Sequence, residues 1–297
     1  MSESPVRLVL AFDGSPAARR AAELLAGYRG ERGRLEVLAV SVQQRPVTLF
    51  PGMGIDPAAL DAALAEAGRG ALAPALERLA RAGIAARGEV RFGLPAPALL
   101  DDARACGAQA IVMGTRGHGA VHGFAFGSAA MRVAHGGVAP TLIVGPDARL
   151  PEQLGVRLRV LCAFDGSEPA LRALERLLAW RGWLGELELH LAHVQQPLTL
   201  LEKMLPPHED ALAQWRGDAG EKATQAARAL LARAGVAHEL RLVSGDPAAE
   251  LARLARDTQC ELLALGTRGR GAAHHALVGS VALKAAAASP VPALLVP

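Results

Sequence analysis

Two fifteen-residue stretches carry residue types suited to gripping an anion. Residues 114–128 read GTRGHGAVHGFAFGS and residues 266–280 read GTRGRGAAHHALVGS. Each is glycine, two residues, glycine, nine residues, then Gly-Ser, which places Gly114, Gly117 and Gly127 in register with Gly266, Gly269 and Gly279. Each follows an apolar run, ending at Met113 or Leu265, and leads into an alanine-rich helical pattern that opens Ser128-Ala129 or Ser280-Val281. A glycine loop between a strand and a helix start suits phosphate. Glycine permits positive φ and close approach of the backbone. The free N–H groups at a helix start point at an anion, and the helix dipole favours negative charge there. Ser128 and Ser280 add a hydroxyl donor and are candidates to cap their helices. Arg116 and Arg268 add positive charge within the loops.

One carboxylate in each half belongs beside its loop. Asp13 and Asp165 sit in AFDGS at 11–15 and again at 163–167. Two readings stand. Asp-Gly-Ser is ordinary turn chemistry at a helix start, and a carboxylate ending a strand can accept bonds from a ligand's hydroxyl or amino groups.

Other chemistries are poorly provided for. No G-x4-G-K-[ST] occurs, and GHGAVH and GRGAAH lack the third glycine of a dinucleotide fingerprint. Cys106, Cys162 and Cys260 have no metal-ligand or redox spacing and read as free thiols, Cys162 as a small core residue. His118, His122, His274 and His275 lie in the loops, but a metal site needs three or four converging ligands, so solvated histidines are the better reading. His193, beside Val194, is expected to line the same crevice. No paired carboxylates, nucleophile–base pair or phosphate-directed lysine is evident. No residue is therefore assigned a catalytic role, and at most slow hydrolysis of a bound nucleotide is expected.

The elements that position these groups come as a tandem repeat. AFDGS, VQQ (42–44 and 194–196) and GTRG (114–117 and 266–269) each recur 152 residues later. The halves, 1–148 and 149–297, meet in the polar, proline-containing stretch 145–155. In the first half, strands are expected at 7–12, 35–42, 86–91, 110–113 and 141–144. Helices are expected from Ser15 as N-cap to about 28, over 56–82 with Gly83 as C-cap, over 95–105 and over 128–135. The second half repeats this, with strands at 158–164, 187–194, 238–243, 261–265 and 292–296. Its helices are expected at 168–180, 208–234, 247–257 and 280–288. Alternating strands and helices imply right-handed crossovers: an α/β fold of two tandem, open, mostly parallel five-stranded sheets with helices on both faces, Rossmann-like in kind. Ligands of such sheets bind beyond the strand carboxyl ends. Asp13, Val42 and the Gly114 loop all follow such ends.

Composition bounds the partners. Hydrophobic residues make up 51% of the 297, charged residues 21% and aromatics 3%, with a net charge of +3. Arginines are scattered and no basic cluster is interleaved with aromatics, so no nucleic-acid partner is expected. No apolar run approaches the ~18–20 residues of a membrane span. The first residues show no leader layout, and a cytoplasmic location is expected.

With AFDGS after the first strand and G-x2-G-x9-G-S after the fourth, in both halves, the chain resembles the universal stress protein family in its tandem two-domain form. The resemblance spans essentially the whole chain, and its glycine motif marks the members that bind ATP. It implies an adenine-nucleotide-binding, stress-responsive regulatory protein, with ATP as ligand and Mg2+ as its accompanying cation. Asp13 and Asp165 are implied to contact the adenosine part, and the backbones of Val42 and Val194 to recognise adenine. Gly114, Gly117, Gly127 and Ser128, with Gly266, Gly269, Gly279 and Ser280, are implied to hold ribose and phosphates. The flanking Ala11, Met113, Ala129, Ala163, Leu265 and Val281 complete the implied sites. Many members have proline where this chain has Ala11 and Ala163. The resemblance also implies that the two halves pack as a pseudo-dimer through their last strands, and it allows a homodimer of the whole chain. The alternative is a partner-binding stress protein in which the loops are relics.

Overall fold

The computed structural model describes residues 5–31, 33–45, 56–115, 126–195, 209–267 and 279–297, the stretch 209–219 as backbone alone. The chain divides into two compact units, Met1–Ala148 and Arg149–Pro297.

The first unit runs β1 (Val6–Ala11), α1 (Pro16–Ala26), β2 (Leu35–Gln43), α2 (Pro57–Arg81), β3 (Ala85–Phe92), α3 (Pro95–Cys106), β4 (Ala110–Gly114), α4 (Ser128–Gly136) and β5 (Thr141–Val144). Its strands lie in the order β3-β2-β1-β4-β5, all paired parallel. Parallel strands covered by helices on both faces read as continuous apolar runs. Leu8, Val9 and Leu10 of β1, with Ile111 and Val112 of β4, are accordingly buried without alternation. The order reverses between β1 and β4, because the chain first builds outward from β1 through β2 to β3 and then returns to β1's other side. Beyond the carboxyl ends at that reversal a crevice opens.

The second unit repeats the plan. It runs β6 (Arg157–Ala163), α5 (Glu168–Ala179), a short α6 (Arg181–Leu184), β7 (Glu186–Gln195), α7 (Glu209–Arg233), β8 (His238–Ser244), α8 (Pro247–Asp257), β9 (Leu262–Gly266), α9 (Ser280–Ala288) and β10 (Ala293–Val296). Its strand order is β8-β7-β6-β9-β10, again parallel throughout.

Local chemistry sets the helix limits. Ser15 accepts the Ala18 N–H at 3.2 Å and Pro16 takes the first helical position, as expected from the sequence. Ser167 does the same for Ala170 at 3.4 Å. Gly83 is not the C-cap of α2. Ala82 holds that position, and Gly83 follows it at φ +73°. The Gly83 and Ile84 N–H groups then reach back to Ala80 and Leu79 at 2.9 and 3.0 Å, a Schellman closure that needs the left-handed residue one step later. Gly235 and Val236 close α7 in the same way. The α6 turn was not anticipated. It forms where Trp180 and Trp183, both buried, meet with ring centroids 5.3 Å apart. Among the described residues no helix is long and apolar enough to cross a membrane.

Candidate functional site

In the first unit, a cleft of about 510 Å3 opens at the carboxyl ends of β1, β2 and β4. That lies within the roughly 300–1,000 Å3 typical of small-molecule sites. The sequence-nominated Ala11, Asp13, Val42, Met113, Gly114, Gly127, Ser128 and Ala129 all line it, although they come from four separate segments of the chain. Arg116 and Gly117 lie outside the described residues, as do Arg268, Gly269 and the histidines His118, His122, His274 and His275.

Asp13 takes part in the turn that starts α1. Its Oδ1 accepts the Ser15 N–H at 3.0 Å, and Gly14 between them is at φ +80°. Asp165 repeats this on the Ser167 N–H at 3.0 Å, with Gly166 at φ +82°. The turn reading is therefore realised. It also serves the other one, since the turn holds the Asp13 carboxylate at the wall of the cleft.

The ends of the glycine loop are pinned. The Thr115 N–H donates to the Val144 carbonyl at 3.0 Å, and the Thr115 carbonyl accepts the Gly127 N–H at 2.8 Å. Thr267 makes the equivalent bonds to Val296 and Gly279 at 2.8 and 2.6 Å. The start of α4 is thereby fixed beside the end of β4 whatever the intervening residues do.

Two expectations about this loop are corrected. Ser128 and Ser280 do not cap their helices. Gly127 and Gly279 are the N-caps, in extended conformation, and the serines are the first helical residues. Neither helix start has a side-chain cap, a feature shared with α3 and absent from α1, α2, α5 and α8. Nor do Gly114 and Gly127 adopt positive φ. Gly114 is required by packing. A Cβ there would stand 2.6 Å from the Ala17 Cβ and 2.8 Å from the Ala17 carbonyl carbon, in the first turn of α1. At Gly266 the same atom would meet Pro169 at 2.5 Å.

His193 does not line a crevice. Alternation along a strand sends successive side chains to opposite faces. Val40 and Val42 line the first cleft, and their second-unit counterparts are Ala192 and Val194, so His193 points away. It is buried, and its Nδ1–H donates to the Phe164 carbonyl at 2.8 Å.

Several lining residues escaped the sequence reading: Val40, Gln44, Pro95, Leu99 and Thr115. Pro95 and Leu99 bring the N-terminal turns of α3 over the cleft. In the sequence they are indistinguishable from a helix's core face. Val40 carried a signal, since it stands two residues before Val42 on the same strand face. In the second unit, Ala163, Asp165, Val194, Leu265, Gly266, Gly279, Ser280 and Val281 stand at the equivalent positions, on or just beyond β6, β7 and β9 and at the start of α9. Among the described residues no group of three or more His, Cys, Asp or Glu side chains could hold a metal ion.

Comparison with known proteins agrees with this architecture. The model of the universal stress protein family matches residues 6–145 and again 157–297. A universal stress protein from Archaeoglobus fulgidus DSM 4304 superposes with a TM-score of 0.67 at 22% identity, over 98% of this chain and 95% of that one. A functionally unknown protein from Pseudomonas aeruginosa PAO1 superposes at 0.59 and 14% identity, over 98% and 92%. Both likenesses concern the fold. The family itself follows from the two model matches, which together span nearly the whole sequence: the chain belongs to the universal stress protein family and carries its domain twice.

Proposed function

We propose that the cleft of each unit binds an adenine nucleotide, ATP foremost, and that the bound nucleotide governs how this stress protein engages its partners. The observation that carries this reading is the start of α4. Its N–H groups have no side-chain cap, they open onto a cleft of about 510 Å3, and Asp13 lines the same cleft. Uncapped helix N–H groups with the dipole behind them suit phosphate. Asp13 suits the hydroxyl groups of a ribose, and the end of β2 at Val42 offers backbone groups to a base. The glycine loops, with Gly117, Arg116, Gly269 and Arg268, would complete the phosphate site. Any Mg2+ would arrive with the nucleotide. Binding with at most slow hydrolysis is part of the same proposal. A cytoplasmic location, pairing of the two domains and a homodimer of the chain belong to the same proposal.

The test begins with freshly purified protein. Acid release and chromatography count the nucleotide carried by each chain, and calorimetric titration with ATP follows. About two adenine nucleotides per chain support two working sites, and one indicates a single competent unit. No nucleotide and no heat with ATP at millimolar concentration would overturn the proposal in favour of a partner-binding protein. The paired change Gly117→Val and Gly269→Val should abolish binding while leaving the circular dichroism spectrum intact.

A further inference from the structure

The first unit has a second cleft, also of about 510 Å3, at the opposite end of α3. It lies at the amino ends of β1, β2 and β3, far from the strand ends that form the nucleotide cleft. Its apolar lining includes Leu38, Ala86 and Ala105, and its charged groups are Arg7, Glu36 and Arg87. Each guanidinium already has a carboxylate neighbour, Glu36 for Arg7 and Glu89 for Arg87, so an anion would bind here by exchange with one of these side chains.

Both arginines are available for exchange. Arg7 Nε pairs with Glu36 at 3.2 Å, and Arg87 pairs with Glu89 at 2.9 Å. The Arg7 and Arg87 side chains are 55% and 66% exposed. Ion pairs this exposed are worth little. Each guanidinium has five donors in a planar fork, which suits a carboxylate or sulfonate.

The second unit supplies an internal comparison. At the positions 152 residues later, Leu38, Ala86, Arg87 and Ala105 are replaced by His190, His238, Glu239 and Asp257. His190 is buried, with Nδ1 3.4 Å from Glu239 and Nε2 3.7 Å from Glu188. The apolar lining and one arginine are exchanged there for polar and acidic groups. The chemistry of this second cleft is therefore specific to one copy of the domain.

We propose that this cleft binds one small amphipathic anion per chain, a molecule with an aromatic or medium-length aliphatic body and a single carboxylate or sulfonate head. The body lies on the apolar lining, and the head is held by Arg87 and Arg7.

The test is a fluorescence titration of the full chain with 8-anilino-1-naphthalenesulfonate, compared with N-phenyl-1-naphthylamine, the same ring system without the sulfonate. The anion should saturate at one molecule per chain. The neutral analogue should bind about ten-fold or more weakly, because it forgoes a charge-assisted hydrogen bond. The double change Arg87→Glu and Ala105→Asp, which installs the second unit's residues, should weaken the anion about ten-fold at an unchanged melting temperature. Arg7→Ala, at an exposed site, gives a second and milder reading in the same direction. Unchanged affinity in both variants, equal binding of the neutral analogue, or failure to saturate at one per chain would each overturn the proposal.

Discussion

Arg91 grips Asp102 across the β3–α3 contact. Its Nε lies 3.0 and 3.1 Å from the two carboxylate oxygens, and a second guanidinium nitrogen lies 2.8 Å from Oδ1. The Asp102 side chain is only 9% exposed. In the second unit the same two positions hold Val243 and Leu254. One domain thus places an ion pair where its sibling has two apolar side chains.

That substitution within one molecule predicts the outcome of exchanging it. Arg91→Val alone leaves the Asp102 carboxylate buried without its partner and should destabilise the first unit by about 2 kcal/mol. Arg91→Val with Asp102→Leu restores the sibling's chemistry and should recover most of that loss, since a buried ion pair and a well-packed apolar pair are often close in stability. Thermal unfolding of the full chain, compared across wild type and the single and double variants, checks both. A double variant as unstable as the single one contradicts the comparison.

Gly114→Ala should destabilise by overpacking. The added methyl meets α1 at its first turn, where backbone atoms cannot give way cheaply. A loss of about 1–3 kcal/mol is expected. Gly266→Ala should do the same to the second unit. Differential scanning calorimetry shows which transition moves. No shift in either would mean that α1 and α5 can slide away from the strand ends.

The serines of the site should separate function from stability. Ser128 is the first residue of α4 and not its cap, so Ser128→Ala should change stability by no more than about 0.5 kcal/mol. If its hydroxyl meets phosphate, ATP affinity should fall by about 0.5–1.5 kcal/mol, roughly two- to twelve-fold. Ser15→Ala should behave in the opposite way at the level of folding, costing about 1 kcal/mol, because Ser15 is buried and caps α1. Melting temperature and calorimetric titration together read both effects.

Thiol chemistry should follow burial. Burial pushes the Cys162 thiol from an ordinary 9.0 up to about 12. Burial, partly offset by the Thr258 hydroxyl, pushes Cys260 up to about 11. Iodoacetamide near pH 8 should therefore alkylate the partly exposed Cys106 alone in the native chain. The same shifts set a pH dependence. The folded state keeps these protons more tightly than the unfolded chain does. Their contribution to stability is whole below about pH 9 and is lost as pH rises toward 11 and 12. Melting temperature should fall across that window, and less steeply in Cys162→Ala. An equal slope would assign the alkaline loss to other groups.

The architecture was legible because both halves state it in the same words. A repeated Asp-Gly-Ser after an apolar run fixes a strand, a turn and a capped helix by local chemistry, and the structure reproduces it in Ser15 and Ser167. The cleft was legible where its lining sits at or just past a strand end, as with Asp13, Val42 and Gly114. Pro95 and Leu99 were not, because their approach to the cleft is a property of how α3 crosses the sheet, which no local spacing encodes. His193 was misplaced for want of a count by two from Val42's counterpart. The cap at Gly127 was misassigned to Ser128 because a hydroxyl at a helix start is the commoner cap. Here the Thr115–Gly127 bond sets the entry instead.

The close fit of Gly114 against α1 bears on how such patterns are read in other chains. The first glycine of the loop answers to a folding constraint of the strand–helix joint, and that constraint persists whether or not a nucleotide is ever bound. A domain of this kind that had lost its ligand would keep that glycine while its loop interior drifted. The first position of the pattern therefore serves as a marker of the scaffold. Diagnostic weight for a ligand belongs to positions whose side-chain size meets no wall of the protein's own.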